Sequence, residues 1–122
     1  MSFRTPQSTP GITLARLLLA SVLVVMGAWR LWNVVQGGKS SGEMLSFSVA
    51  GLLVGLAVAG GWRLRWSALL AAALVLAEAV LWHPFWSLGE PARSAQLLHF
   101  MKNAALVGGF LLLSLTAPTR RR

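Results

Sequence analysis

The sequence contains no cysteine, and only 3 of its 122 residues are acidic. Without a thiol, the chain itself forms no disulfide, carries out no thiol redox chemistry and ligates no iron–sulfur cluster. Charged residues make up 11% of the chain, against about 25% in an ordinary soluble domain. The sequence also has no glycine-rich phosphate loop, nucleophile elbow or paired carboxylates, which excludes soluble-type hydrolase and transferase chemistry.

In place of charged residues, the sequence has long apolar stretches. Hydrophobic residues make up 56% of the chain, more than a domain of this size can hide from water. Four apolar stretches are long enough to cross a bilayer, at residues 12–35, 44–62, 66–82 and 97–117. The sequence therefore predicts an all-α integral membrane protein. Its four-transmembrane-helix antiparallel bundle occupies residues 12–117, with tails at 1–11 and 118–122.

The first apolar stretch imitates a secretory signal, because Arg4 and Arg16 precede its apolar run. No clear small-residue cleavage site follows, and three more apolar stretches come after it. We therefore interpret it as a retained first helix, with cleavage as the alternative.

Basic residues predict the orientation. The link at residues 62–66 is so short that the second and third spans form an antiparallel hairpin. Both tails then share one side with this link. That side holds Arg4, Arg16, Arg63, Arg65 and Arg120–Arg122, and the other holds Arg30, Lys39, Arg93 and Lys102. The excess predicts cytoplasmic N and C termini. The net charge of +8 favours anionic lipid headgroups as partners, and we predict no nucleic-acid partner.

Small residues recur at four-residue spacing on two of the spans. The ridges are Gly51, Gly55 and Ala59 on the second span, and Ala104, Gly108, Ala105 and Gly109 on the fourth. Such ridges let helix backbones approach closely. Two interpretations stay open: an interface in a homo-oligomer, or packing within a single bundle.

Seven residues form the candidate site, a polar cluster near the outer ends of the helices. They are Arg30, Glu78, His83, Trp86, His99, Lys102 and Asn103. The predicted topology brings them to a similar depth, because the first and third spans run outward and the fourth starts outside. Ionisable side chains inside a span are costly and mark candidate functional positions. Glu78 should be paired with Lys102 or Arg30, or protonated, although such a pair can also serve only to fix helix register.

Several chemistries fit this cluster. Trp82, Phe85 and Trp86 suit stacking on a quinone ring, whose oxygens nearby polar side chains can hydrogen-bond. An interfacial aromatic belt explains the same aromatic residues without a ligand. His83 and His99 allow metal or haem b ligation, yet an interfacial histidine needs no ligand, and we predict no metal. Intramembrane Glu and Lys also suit a small transporter, for which four short helices leave little room.

Four segments resemble the DoxX family of small four-span bacterial membrane proteins. They are ARLLLASVLVVMGAWRL (15–31), LLVGLAVAGGWRLRWSALLAAALVL (52–76), HPFW (83–86) and HFMKNAALVGGFLLL (99–113). The last two resemble the family's histidine–aromatic loop and the lysine–asparagine start of its fourth helix. Arg30 stands where many members carry lysine. The acid often found early in the second helix is absent, with Phe47 and Ser48 in that region.

The resemblance implies a multi-pass protein of the bacterial cytoplasmic (inner) membrane, sometimes associated with oxidoreductase complexes. The family includes subunits of thiosulfate–quinone oxidoreductases and membrane partners of redox-defence enzymes, and it supplies no catalytic residue set. The leading functional hypothesis is a non-catalytic membrane subunit or anchor for a redox-related partner protein. The alternatives are a quinone-binding subunit of a membrane oxidoreductase and, last, a small transporter.

Overall fold

A computed structural model describes residues 9–39 and 41–116. Its main elements are α1 (Pro10–Val35), α2 (Gly42–Gly60), α3 (Leu64–Trp82) and α4 (Ala92–Thr116), with a short 3-10 helix at Phe85–Ser87 before α4. Each of the four α-helices is long and apolar enough to cross a membrane. The all-α, four-span architecture is therefore confirmed. Arg4 and Arg120–Arg122, on which part of the orientation prediction depends, lie outside the described residues.

Local sequence signals explain where α1 and α2 begin and where α2 ends. The Thr9 hydroxyl accepts a hydrogen bond from the Ile12 N–H at 3.2 Å, and the Ser41 hydroxyl accepts one from Met44 at 3.0 Å. These side chains satisfy N–H groups that the first helical turn leaves without a partner. Gly61 stops α2 in the left-handed conformation (φ 75°), which glycine adopts without steric cost.

The start of α4 is polar. The helix begins at Ala92, before the apolar stretch that hydropathy marks from residue 97. The Glu90 carboxylate accepts hydrogen bonds from the Ser94 hydroxyl at 2.7 Å and the Ser94 N–H at 3.2 Å. These bonds stabilise the charged carboxylate, and the Ser94 hydroxyl does most to hold the pKa of Glu90 below its ordinary value. Side-chain capping therefore extends the helix beyond its apolar part.

The helices follow one another around the bundle. The contact of α1 with α2 and that of α3 with α4 are extensive, the contact of α2 with α3 is smaller, and that of α1 with α4 is the least. We call the end with the α2–α3 turn (residues 61–63) the turn end, and the end with residues 83–91 the loop end. The α1–α4 seam is thus the loosest side of the bundle.

The packed core lies toward the turn end. Val58, Ala68 and Phe110 have no exposed surface there. A Cβ added to Gly55 would lie 2.9 Å from the Leu23 Cβ, so α2 packs directly on α1 at this glycine. The ridge that contains Gly55 therefore serves packing within the chain. By contrast, an added Cβ at Gly108 would meet nothing within 4 Å, and homo-oligomerisation through α4 stays a prediction.

Candidate functional site

A cleft of about 800 Å³ lies between the four helices, toward the loop end. All four helices contribute to its wall. Its buried side is formed by Leu23, Gly27, Ser48, Gly51 and Val75. None of these side chains is larger than leucine, which leaves the middle of this half of the bundle open.

The cleft opens sideways. Its exposed lining residues all belong to α1 or α4: Ser21, Val25, Met26, His99, Lys102 and Ala105. These two helices flank the loosest seam of the bundle. Because both helices span the membrane, a mouth between them faces the lipid bilayer.

The cleft is polar at one end and apolar at the other. Along α1 its lining runs from Ser21 to Arg30, about 13 Å at 1.5 Å per residue. At the loop end Arg30 contacts Glu78 of α3, and polar side chains of α4 also line the cleft. Val22 and Leu106 line the opposite end. The hydroxyl of Ser21 already donates to the Leu18 carbonyl at 2.6 Å, so it adds little polarity there.

Arg30 and Glu78 form an ion pair inside the cleft. Arg30 Nη1 donates to Glu78 Oε2 at 2.9 Å, and both side chains are largely buried, at 29% and 20% exposure. The pair joins α1 to α3 across the bundle. Of the two cations predicted as partners for Glu78, the structure selects Arg30. A charge inside a membrane protein is tolerated when it is paired in this way.

The two histidines lie face to face. Their rings stack with centroids 5.1 Å apart and planes inclined by 22°. His83 Nδ1 donates to Gln96 Oε1 at 2.6 Å, since an amide oxygen only accepts. The nitrogen lone pairs of an imidazole lie in the ring plane, so two stacked rings do not converge on one metal ion. In residues 9–39 and 41–116, no group of three or more His, Cys, Asp or Glu residues is placed to hold a metal.

Lys102 and Asn103 belong to the same wall. Asn103 Nδ2 donates to the Val75 carbonyl at 3.4 Å, which ties α4 to α3. Lys102 is exposed at the mouth of the cleft. These two neighbouring residues of α4 therefore differ. The Asn103 amide is hydrogen-bonded to α3, whereas Lys102 is exposed at the opening of the cleft.

Trp86 is the one member of the predicted cluster that does not line the cleft. It is 53% exposed and packs edge-on against Phe85 and Phe100, with centroids 5.2 and 5.7 Å apart. Phe47 is the one phenyl side chain in the described lining, and its ring packs edge-on against Trp82 with the centroids 4.9 Å apart. The other six predicted residues lie together along the cleft.

Sequence reasoning missed Phe47 and Gln96 as members of the site. Gln96 precedes His99 by one helical turn, so the two lie on one face of α4, and this spacing was a usable signal. Phe47 offered no such signal, because an aromatic residue in an apolar span is ordinary.

The chain is similar in sequence to a known protein of the inner membrane. It is 30% identical over 119 residues to inner membrane protein YqjF of Escherichia coli (strain K12). The match covers 88% of this chain and 85% of YqjF. This chain belongs to the YqjF family. With its four spans, it is a multi-pass inner membrane protein. No protein-family model matches the chain, and neither does any solved structure.

Proposed function

We propose that this protein is a DoxX-like membrane subunit of a redox system, and that its cleft binds a quinone-class ligand. The observation that carries the proposal is the sideways opening between α1 and α4, with a polar end and an apolar end. The DoxX likeness of HPFW and HFMKNAALVGGFLLL supports the redox setting. The name of the relative says only that YqjF is an inner membrane protein.

The shape of the cleft matches a lipid-soluble molecule with a polar head. Small-molecule sites combine largely apolar walls with a few polar groups that fix orientation. A mouth in the bilayer admits a ligand that is already dissolved in lipid. The cleft volume of about 800 Å³ lies within the usual range for ligand pockets, and Phe47 offers a ring for stacking. A quinone head in the cleft meets hydrogen-bond donors at the loop end, and its tail meets apolar side chains.

Binding of a short-chain quinone to the purified protein tests the proposal. Quinones quench tryptophan fluorescence, and Trp82 lies directly behind the cleft residue Phe47. We expect saturable quenching by the wild-type protein. Ala105→Phe places a ring at the mouth and should weaken binding about tenfold or more, a loss of about 1.4 kcal/mol.

Ala104→Phe is the matched control. Ala104 is the adjacent residue on α4 and is also exposed, but it does not line the cleft. Its variant should keep the wild-type affinity to within about twofold, a difference below 1 kcal/mol. Quenching that does not saturate, or an equal loss in both variants, would contradict a quinone site in the cleft.

The competing function from the sequence is a non-catalytic anchor for a redox enzyme. Purification in mild detergent separates the two hypotheses. Bound quinone extracted from the wild-type protein, and lost in Ala105→Phe, supports the cleft site. A soluble enzyme that co-purifies equally with both forms, without quinone, supports the anchor instead.

A further inference from the structure

The polar end of the cleft carries more positive charge than its ion pair cancels. Arg30 and Glu78 neutralise each other at 2.9 Å. Lys102 also lines the cleft, and within residues 9–39 and 41–116 its ammonium has no ion pair and no hydrogen bond. Glu78 is the one carboxylate in the described lining, so one positive charge remains uncompensated.

Acceptor atoms do lie among the neighbouring cleft residues, namely the ring nitrogens of His99 and the amide oxygen of Asn103. Within the described residues Lys102 donates to none of them, and none of them is a carboxylate. An ammonium has three donors and accepts nothing. A lysine within a membrane span is expensive unless an acceptor meets it.

We propose that the cleft selects quinone-class ligands whose head carries a negative charge, and that Lys102 provides this selectivity. The inference rests on the function proposed above and narrows it to one charge state of the ligand. A hydrogen bond between an ammonium and an ionised ring hydroxyl is shorter and stronger than one to a neutral carbonyl. The low dielectric of the bilayer further strengthens the attraction between the two charges.

Two probes of almost equal shape isolate the charge of the head. The first is an alkylated hydroxynaphthoquinone, whose acidic hydroxyl is ionised at neutral pH. The second is its methyl ether, which has the same ring and tail but no charge. Tryptophan quenching gives the Kd of each probe for the same protein in nanodiscs of a zwitterionic lipid. We expect the ionised probe to bind the wild-type protein about tenfold or more tightly, as one charge-assisted hydrogen bond implies.

Substitutions assign the preference to Lys102. Lys102→Met should remove most of the preference for the ionised probe, whereas Lys102→Arg should keep it because the positive charge remains. Lys39→Met is the matched control, since Lys39 is the chain's other lysine and lies in the α1–α2 loop, outside the cleft lining. Lys39→Met should keep the full preference for the ionised probe. Comparing it with Lys102→Met in the same lipid also cancels differences in how the two probes partition into the bilayer.

The possible outcomes distinguish a failure of the charge selectivity from a failure of the proposed quinone site. If both probes bind the wild-type protein equally, the proposed charge selectivity is wrong, but the quinone site remains supported. Lys102 would then only extend toward the lipid headgroups. If neither probe binds, the quinone proposal itself fails. If a fatty acid displaces the ionised probe and the ether never binds, the cleft recognises an anionic head, but the ligand is not a quinone.

Discussion

The two halves of this bundle bury their helix faces in different ways. Toward the turn end, Val58, Ala68 and Phe110 are fully buried between the helices. Toward the loop end, the same four helices surround a cleft of about 800 Å³. Lipid tails are as apolar as leucine, so helices associate in a membrane mainly through close van der Waals packing. The buried apolar side chains of the core lie mostly toward the turn end.

The difference indicates that the buried apolar core and the proposed binding cleft occupy different halves of this molecule. Side chains that line an empty space lose dispersion contacts, so a cleft lowers the stability of the half that contains it. Glycine and alanine contacts at the turn end offset that loss by letting the backbones approach. In the loop-end half, the Arg30–Glu78 ion pair and the hydrogen bond from Asn103 to Val75 also join the helices.

The largest expected effect is the removal of a packed aromatic side chain at the turn end. Phe110→Ala should lower the free energy of unfolding by about 3–5 kcal/mol, because Phe110 has no exposed surface and its loss creates a cavity. Phe47→Ala, in the cleft wall, should cost only about 1–2 kcal/mol, because one side of that ring is already open. Unfolding by SDS in mixed micelles measures both. Equal costs would mean that the two halves are packed alike.

A smaller effect is expected where helices touch at a glycine. Gly55→Ala should destabilise the bundle by about 1–3 kcal/mol, because its Cβ would lie 2.9 Å from Leu23 and Val24 on α1 and 3.1 Å from the Val24 backbone nitrogen. Gly108→Ala is the control, since an added Cβ there meets nothing within 4 Å. It should raise stability by about 0.5–1 kcal/mol through helix propensity alone. A loss of stability in Gly108→Ala would instead reveal a contact on that face.

At the loop end, the Arg30–Glu78 ion pair links α1 to α3. A double-mutant cycle on Arg30 and Glu78, with Arg30→Met and Glu78→Leu, should give a coupling energy of about 1–2 kcal/mol. Partial exposure of both side chains keeps this value below that of a fully buried pair. The matched cycle of Glu78 with Lys102→Met should give no coupling, since the two form no ion pair. Stability in mixed micelles is again the measured quantity.

Hydropathy alone was enough to predict the four spans and the polar layer, because both follow directly from residue type. Hydropathy marks only the apolar part of α4, from residue 97, and the polar turns that begin at Ala92 follow the Glu90 carboxylate, which accepts from Ser94. Depth alone also left Glu78 with two candidate cations, because Arg30 and Lys102 lie in one layer and only helix rotation distinguishes them. The sideways opening could not be predicted from the sequence, because it depends on how closely α1 and α4 approach each other.

The smallest expected effect concerns the boundary of the cleft. Trp86 is 53% exposed, packs on Phe85 and Phe100, and does not line the cleft. Trp86→Leu should therefore leave the quinone Kd within about twofold of the wild-type value, a change below 1 kcal/mol. Phe47→Leu should weaken binding by about threefold to tenfold, because it removes the one phenyl ring among the described residues of the cleft wall. The reverse order would move the binding site out of the cleft to the aromatic group around Trp86, and the loop end would then bind its ligand at the membrane surface.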